Sequence, residues 1–438
     1  MKQLVRLGVV CLARKTFDYQ EAEKIYNRLL EHLQELEQVE VEAVPGLTIE
    51  PDEARKAAGY LAGRDIDGLV VISGTFHLGH LVLEMDKVLH KPILLWGLPE
   101  LPYNGGKIRL NSVCGVNLNA SNLYKSGVRN YTASVGESIH EDWVDALRIA
   151  AALKESRIGI LGFRAKGFFN LGVYDLNIYH EMGLLIDHFE LNDVWSYEAP
   201  EDQVDARIAQ IYELFETSDV NEEQVRRMAE LAVKFDRFTD DQGITALAIR
   251  CWPEFAEGFG IAPCAAMSLL QSEGKILACE GDLEGAVSMI AHRAVGGEFP
   301  YLFDFSQIDF EQNHALLWHC GVAPCNLADG RCVRSLSSYH AGGKGVTADF
   351  VLKDGHVSVL RFDSAGTDYR VLLAEGDVIP MEKELRGTYM KVRFSIPVRD
   401  LLQKVIDNGV AHHASVTYGT FLEPFRIFAK IKGWEVIE

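Results

Sequence analysis

The sequence predicts a mixed α/β protein: two doubly wound parallel-sheet domains followed by a β-rich, antiparallel and barrel-like C-terminal domain. Three observations predict it. Buried-looking strands alternate with amphipathic helical stretches up to about residue 300. The helices between strands are long enough to serve as parallel crossovers, which makes both domains Rossmann-like in pattern. Beyond residue 300 the apolar runs become short and β-rich, with Asp354-Gly355 as a hairpin turn signal.

The elements follow in order. Residues 4–12 read as a buried strand. Residues 19–36 then place Ala22, Ile25, Tyr26, Leu29, Leu30 and Leu33 on one helical face. A strand at 39–44, a helix at 51–61 opened by Pro51, and strands at 67–73 and 91–96 continue the alternation. After a helix at 143–153, a second unit opens with a strand at 156–162. Helices at 175–185, 201–215 and 222–235 and strands at 245–250 and 276–279 follow, with Asp240-Asp241 in a solvated connection. Short strands at 350–352, 357–362, 369–374 and 389–396, and one helix at 398–408, complete the chain. The predicted domains are 1–155, 156–300 and 301–438.

At 438 residues the chain is too long for one ordinary domain, and 48% hydrophobic with 24% charged residues describes a sizeable globular core. A net charge of -20 disfavours nucleic acid and anionic membranes as partners. No run of 18 apolar residues predicts a membrane span, and no secretory leader precedes the first strand, so a cytoplasmic location is expected. Several of the eight cysteines lie in apolar runs, as reduced buried thiols do. Cys320 and Cys325 have a loose ligand-like spacing, but no second pair follows, which disfavours structural zinc.

Nucleotide chemistry is disfavoured too. The first strand-to-helix junction reads Ala13-Arg-Lys-Thr16 and the second Gly162-Phe-Arg-Ala-Lys-Gly167, so neither carries the glycine pattern that lets backbone approach a pyrophosphate. No Gly-x-Ser-x-Gly elbow exists.

The chemistry concentrates late in the chain. Ile276-Leu-Ala-Cys-Glu-Gly-Asp282 carries an apolar strand into Glu280, at the carboxyl edge where open α/β sheets bind ligands. Asp304 sits within Tyr301-Leu-Phe-Asp-Phe305, His319 ends Ala315-Leu-Leu-Trp-His319, and His412-His413 leads into a strand. Two carboxylates and one or two imidazoles suit a divalent cation of the Mn2+ type, which would offset the cost of carboxylates in apolar runs. Each residue taken alone has a plainer reading as a cap, an ion-pair partner or a core histidine.

Glu280-Gly-Asp-Leu, Asp304 at its downstream spacing and the 409–414 stretch resemble the L-fucose isomerase and L-arabinose isomerase superfamily. The resemblance implies two Rossmann-like domains joined to a β-rich one, across essentially the whole chain. It implies an aldose–ketose isomerase that works on an open-chain sugar through an enediol or enediolate. Glu280 and Asp304 match the family's metal carboxylates and its acid–base pair. His413 matches the late ligand, His319 the extra histidine of the arabinose type, and His412 is left for substrate. The resemblance also implies a homo-oligomer, trimer or hexamer, whose active sites are shared between subunits. Arg14, Lys15, His77, Trp96, Asn119 and Trp252, near strand ends, are the softer substrate candidates. The implied substrates are a hexose, a pentose, a 6-deoxy-hexose, or a 6-sulfo-hexose such as sulfoquinovose. Arg14, Lys15, Arg164 or Lys166 would meet an anionic group on the last of these. The chain departs from the resembling enzymes in being shorter and in its segment 320–332.

Two competing readings remain at this level. One is a cytoplasmic sugar-binding or regulatory protein, which would not need Glu280, Asp304 and His413 together. The other is a different metal-dependent sugar enzyme, an epimerase or aldolase.

Overall fold

In the computed structural model, which describes residues 2–338 and 344–438, alternating apolar and amphipathic runs build two compact units. The first comprises Met1–Ala151 with Glu423–Trp434. Its elements are β1 (Val5–Leu12), α1 (Tyr19–Gln34), β2 (Val39–Thr48), α2 (Pro51–Ala62), β3 (Gly68–Ser73), α3 (His80–Leu89), β4 (Ile93–Gly97), α4 (Ser112–Lys125), β5 (Tyr131–Val135) and α5 (Glu141–Glu155). The sheet is parallel, in the order β2-β1-β3-β4-β5, so the direction in which successive strands are added reverses between β1 and β3. β3 and β4 are buried at every position, as strands covered on both faces must be. Helix α1 is capped by Asp18, which accepts from the Glu21 backbone, and buries Ala22, Tyr26, Leu29 and Leu33. β5 was not expected: Tyr-Thr-Ala-Ser-Val is short, half-exposed and polar, too weak a pattern to stand out.

The second unit comprises Ala152–Leu422 with Glu435–Glu438. It opens with β6 (Arg157–Leu161), α6 (Asp175–Met182), β7 (Leu185–Phe189), α7 (Leu191–Trp195), α8 (Glu201–Leu214), α9 (Glu222–Asp241), β8 (Ala246–Ile249), α10 (Cys264–Ser272), β9 (Ile276–Ala278) and α11 (Leu283–Ala294). The four strands form a parallel sheet in the order β7-β6-β8-β9, which repeats the reversal seen in the first sheet. Two expectations are corrected here. The helix expected over 175–185 stops at Met182 because Gly183 turns left-handed (φ 72°), and a strand begins at Leu185. Asp240 and Asp241 are not a connection but the last turn of α9. Helix α10 is buried at eight of its nine positions, so it has no exposed face and gives no helical period to read.

The remaining strands are β10 (Tyr301–Asp309), β11 (His314–His319), β12 (Ser335–Ser338), β13 (Val346–Val351), β14 (His356–Ala365), β15 (Asp368–Ile379), β16 (Thr388–Phe394), then α12 (Val398–Asp407), β17 (His413–Tyr418), α13 (Leu422–Lys432) and β18 (Glu435–Ile437). Among the described residues they form a nine-stranded sheet that closes on itself. Antiparallel pairings run β16-β11-β10-β17-β14-β15 and back to β16, a barrel without free edges along that ring. One apolar core runs from the parallel sheet through Phe303, Leu317, Val359, Met390 and Val416 of the barrel. Among the described residues no helix is long and apolar enough to cross a membrane.

Candidate metal centre

Glu280 leaves the end of β9 in a left-handed conformation (φ 62°), followed by Gly281 at φ 72°. A non-glycine residue there costs on the order of 1–3 kcal/mol, and such strain concentrates where a side chain must be aimed. A Cβ on Gly281 would lie 2.3 Å from the Phe163 carbonyl oxygen, so only glycine lets the turn after β6 pass. That turn also ties down Glu280 directly, since the Ala165 N–H donates to the Glu280 carbonyl at 3.0 Å. The Glu-Gly-Asp run is thus a strained carboxylate, a close approach and a cap in succession. Asp282 supplies the cap: its Oδ1 accepts from the Gly285 backbone at 2.8 Å and starts α11.

The barrel brings the other groups. Asp304 on β10 pairs with His413 on β17, so their side chains leave on the same face. Glu280 Oε2 lies 3.2 Å from His412 Nε2 and 3.5 Å from His413 Nε2. Asp304 Oδ1 lies 3.6 Å from His413 Nε2. Ligand atoms of Asp304, His319 and His413 fall within 4.8 Å of one another, as do those of Glu280, His412 and His413. The four residues Glu280, Asp304, His319 and His413, expected to meet, do meet.

Hydrogen bonds decide how the two adjacent histidines are protonated. Asn170 Nδ2 donates to His412 Nδ1 at 3.1 Å, so the His412 proton sits on Nε2 and points at Glu280. His413 Nδ1 donates to Asp282 Oδ2 at 3.0 Å, which turns Nε2 toward both Glu280 and Asp304. Two carboxylates facing one imidazole nitrogen call for a cation between them, either a proton on Nε2 or a metal ion that Nε2 ligates. His319 adds an Nε2 that is buried and has no partner among the described residues, its Nδ1 accepting from the Cys320 N–H at 2.8 Å. Carboxylate oxygens and imidazole nitrogens gathered at one point fit a divalent cation.

Beneath His413 is a fully buried ion network that the sequence did not reveal. Arg361 Nη1 donates to Asp282 Oδ2 at 2.5 Å, and Arg361 also reaches Glu284 at 3.4 Å and Asp363 at 3.7 Å. Asp363 pairs with Arg370 at 2.7 Å and accepts from the Ala411 N–H at 3.1 Å, fixing the segment just before the histidine pair. Burial alone would raise the Asp282 carboxyl, but Arg361 and His413 outweigh it and hold the group far below the usual carboxylate range. Burial likewise acts against the Glu280 carboxylate, and His412, His413, His319 and Trp252 lower it. Glu284, at the longer distance from Arg361, is raised by burial to about 7. The one signal for this network was an arginine inside the apolar run 357–362.

Trp252 does reach the site, donating from Nε1 to Glu280 Oε1 at 3.2 Å. Phe168 stands edge-on to Trp252 and stacks on His412 at 5.2 Å, giving the site an aromatic wall. Neither Phe168 nor Asn170 carried a pattern that could have flagged it.

Arg14, Lys15, His77, Trp96 and Asn119 belong to the first unit. Arg14 and Lys15 are exposed past β1. His77 is buried, bonded to Ser73 Oγ at 2.9 Å and to Asn119 Nδ2 at 3.2 Å, and burial lowers its pKa to about 4. Trp96 is buried with its Nε1 on the Gly136 carbonyl at 3.0 Å.

Comparisons with known proteins find sugar isomerases. Residues 8–157 match the family described as fucose/sulfoquinovose isomerase, N-terminal domain. The chain is 27% identical over 425 residues to a sulfoquinovose isomerase of Priestia aryabhattai, covering 94% of each chain. It is 26% identical over 383 residues to one of Alkalicoccus urumqiensis, covering 85% of this chain and 86% of that one. A sulfoquinovose isomerase of Clostridium sp. (strain MSTE9) is 25% identical over 342 residues, covering 75% and 76%.

Proposed function

We propose, from the similarity to fucose/sulfoquinovose isomerases, that this chain is a Mn2+-dependent aldose–ketose isomerase of the L-fucose isomerase and L-arabinose isomerase superfamily whose substrate is a 6-sulfonated hexose. On this reading residues 1–155 and 156–300 are Rossmann-like domains and 301–438 the β-rich one. The sulfonated substrate rests on the relatives, all three of which carry the name sulfoquinovose isomerase. The observation that carries the catalytic reading is His413 Nε2 held against both Glu280 and Asp304.

Glu280, Asp304 and His413 would hold the ion, with His319 Nε2 completing the set. When bound, the ion supplies positive charge that polarises the sugar carbonyl and its neighbouring hydroxyl. The protein's own groups move the protons. One of Glu280 and Asp304 removes the C2 proton of the open-chain aldose, giving an enediol, and a proton is returned to C1. The other passes the hydroxyl proton from O2 to O1. The His412 Nε2 proton points at Glu280 and keeps that carboxylate ionised as a base. Asp282 fixes the tautomer and angle of His413, the work of a carboxylate behind a metal-binding imidazole. Phe168 and Trp252 wall one side against water.

The test is direct. Metal-stripped protein is incubated with sulfoquinovose and with neutral aldoses, with and without Mn2+, and ketose formation is measured. Turnover of sulfoquinovose that depends on Mn2+ is expected; equal turnover without metal, or product epimerised rather than isomerised, rejects the reading. A trimer or hexamer with shared sites follows from the same premise. Mixing Arg14→Ala with Glu280→Gln protein then restores part of the activity, and no recovery would remove the sharing.

A further inference from the structure

The cysteines that looked scattered in the sequence are not scattered in space. Cys251 follows β8, Cys264 opens α10, Cys279 follows β9 and Cys320 follows β11. Cys279 Sγ donates to Cys251 Sγ at 3.0 Å, and Cys264 and Cys320 Sγ lie 3.5 Å apart. Cys279 and Cys320 Sγ fall within 4.8 Å of each other, which links the two pairs into one cluster. All four are free thiols, and Cys251, Cys264 and Cys279 are buried. His319 joins them: its Nδ1 is 3.2 Å from Cys320 Sγ, and ligand atoms of Cys279, His319 and Cys320 fall within 4.8 Å of one another.

We propose that Cys251, Cys264, Cys279 and Cys320 form a second metal site, a closed tetrathiolate centre for a thiophilic divalent cation of the Zn2+ class, behind the carboxylate–histidine centre. Four thiolates around such a cation at about 2.3 Å stand about 3.8 Å apart, so the observed contacts need only a small outward shift to admit it. Binding is not redox: four S–H bonds are lost, four metal–sulfur bonds form, and the protons leave to solvent. Oxygen-rich Mn2+ chemistry and sulfur-rich Zn2+ chemistry differ enough in softness that the two centres select different ions. The second centre has a structural consequence as well. It would clamp the residue before Glu280 and the residue after His319, and so fix two groups of the first centre from behind.

Metal-stripped, reduced protein is titrated with Co2+ and followed by absorption. Thiolate-to-cobalt charge transfer in the near ultraviolet comes from sulfur ligands and not from carboxylates or imidazole. The band is expected to saturate near about one equivalent, to vanish on adding Zn2+, and to persist in Glu280→Gln/Asp304→Asn protein. It should be largely lost in Cys264→Ser and in Cys251→Ser. X-ray absorption of zinc-loaded unaltered protein, reporting sulfur neighbours, gives the same answer if a serine variant fails to fold. No band, a band of full strength in Cys264→Ser, or a Cys251–Cys279 disulfide formed in place of cation uptake overturns the proposal. None of these readouts uses isomerase activity, so they stand apart from the fate of the proposed reaction.

Discussion

The two parallel sheets share one strand pattern and differ in what stands at their carboxyl edges. At the first edge the polar groups are neutral and mostly satisfy each other: Ser73, His77 and Asn119 form a chain of hydrogen bonds with the Asn119 Oδ1 left over, and the Arg14 backbone donates to Thr75. At the second, the Glu280 and Asp304 carboxylates both face His413 Nε2, and His319 Nε2 lacks a partner among the described residues. Position at a sheet edge nominates a site; carboxylates turned on one point choose between nominees, because gathering them away from water is costly unless a cation joins them. Strand order alone could not have separated the two edges.

The largest expected effect tests the dissatisfied edge. Glu280→Gln and Asp304→Asn should each lose at least about 10²-fold in ketose formation while melting near the parent temperature. Near-normal rates would place the chemistry elsewhere. Next comes the support beneath it. Arg361→Met takes the guanidinium away from the buried Asp282 and Glu284 carboxyls and should cost about 3–5 kcal/mol in denaturant unfolding. Asp282→Asn should weaken Mn2+ affinity by about 10–100-fold in a calorimetric titration. An Asp282→Asn protein that binds Mn2+ like the parent would reduce the network to packing.

The satisfied edge should respond in stability alone. His77→Ala strands Ser73 and Asn119 and should cost about 1–3 kcal/mol, with bound Mn2+ per chain unchanged. A fall in metal content would blur the contrast between the edges. The smallest effect is a difference in pH slope. His77 is lowered in the folded state from 6.5 to about 4, so its contribution is present above about 6.5 and lost as pH falls through 4. Glu284 is raised from 4.5 to about 7, so its contribution is present below 4.5 and lost as pH rises through 7. Between these limits the two groups tilt stability in opposite directions. Melting temperature against pH should therefore flatten on the acid side in His77→Gln and on the neutral side in Glu284→Gln. Parallel curves for parent and variants would refute these assignments.

Periodicity and residue type determined a good deal by themselves. Continuous apolar runs between amphipathic helices can only be buried parallel strands, so the two-sheet pattern was readable from the chain. Glu280, Asp304, His319 and the histidine pair were readable as well, since a charged or ligating side chain ending an apolar run needs a reason. What the tertiary structure alone decided is everything that depends on which strand lies beside which. The pairing of β10 with β17 sets Asp304 against His413. The reach of Arg361 into Asp282 fixes that imidazole's tautomer, and Asn170 fixes the other. The four cysteines meet only because β8, β9 and β11 end, and α10 begins, at one place. Hydropathy along a chain records whether a side chain will be buried. It holds no record of its neighbours, and protonation and metal affinity are set by neighbours.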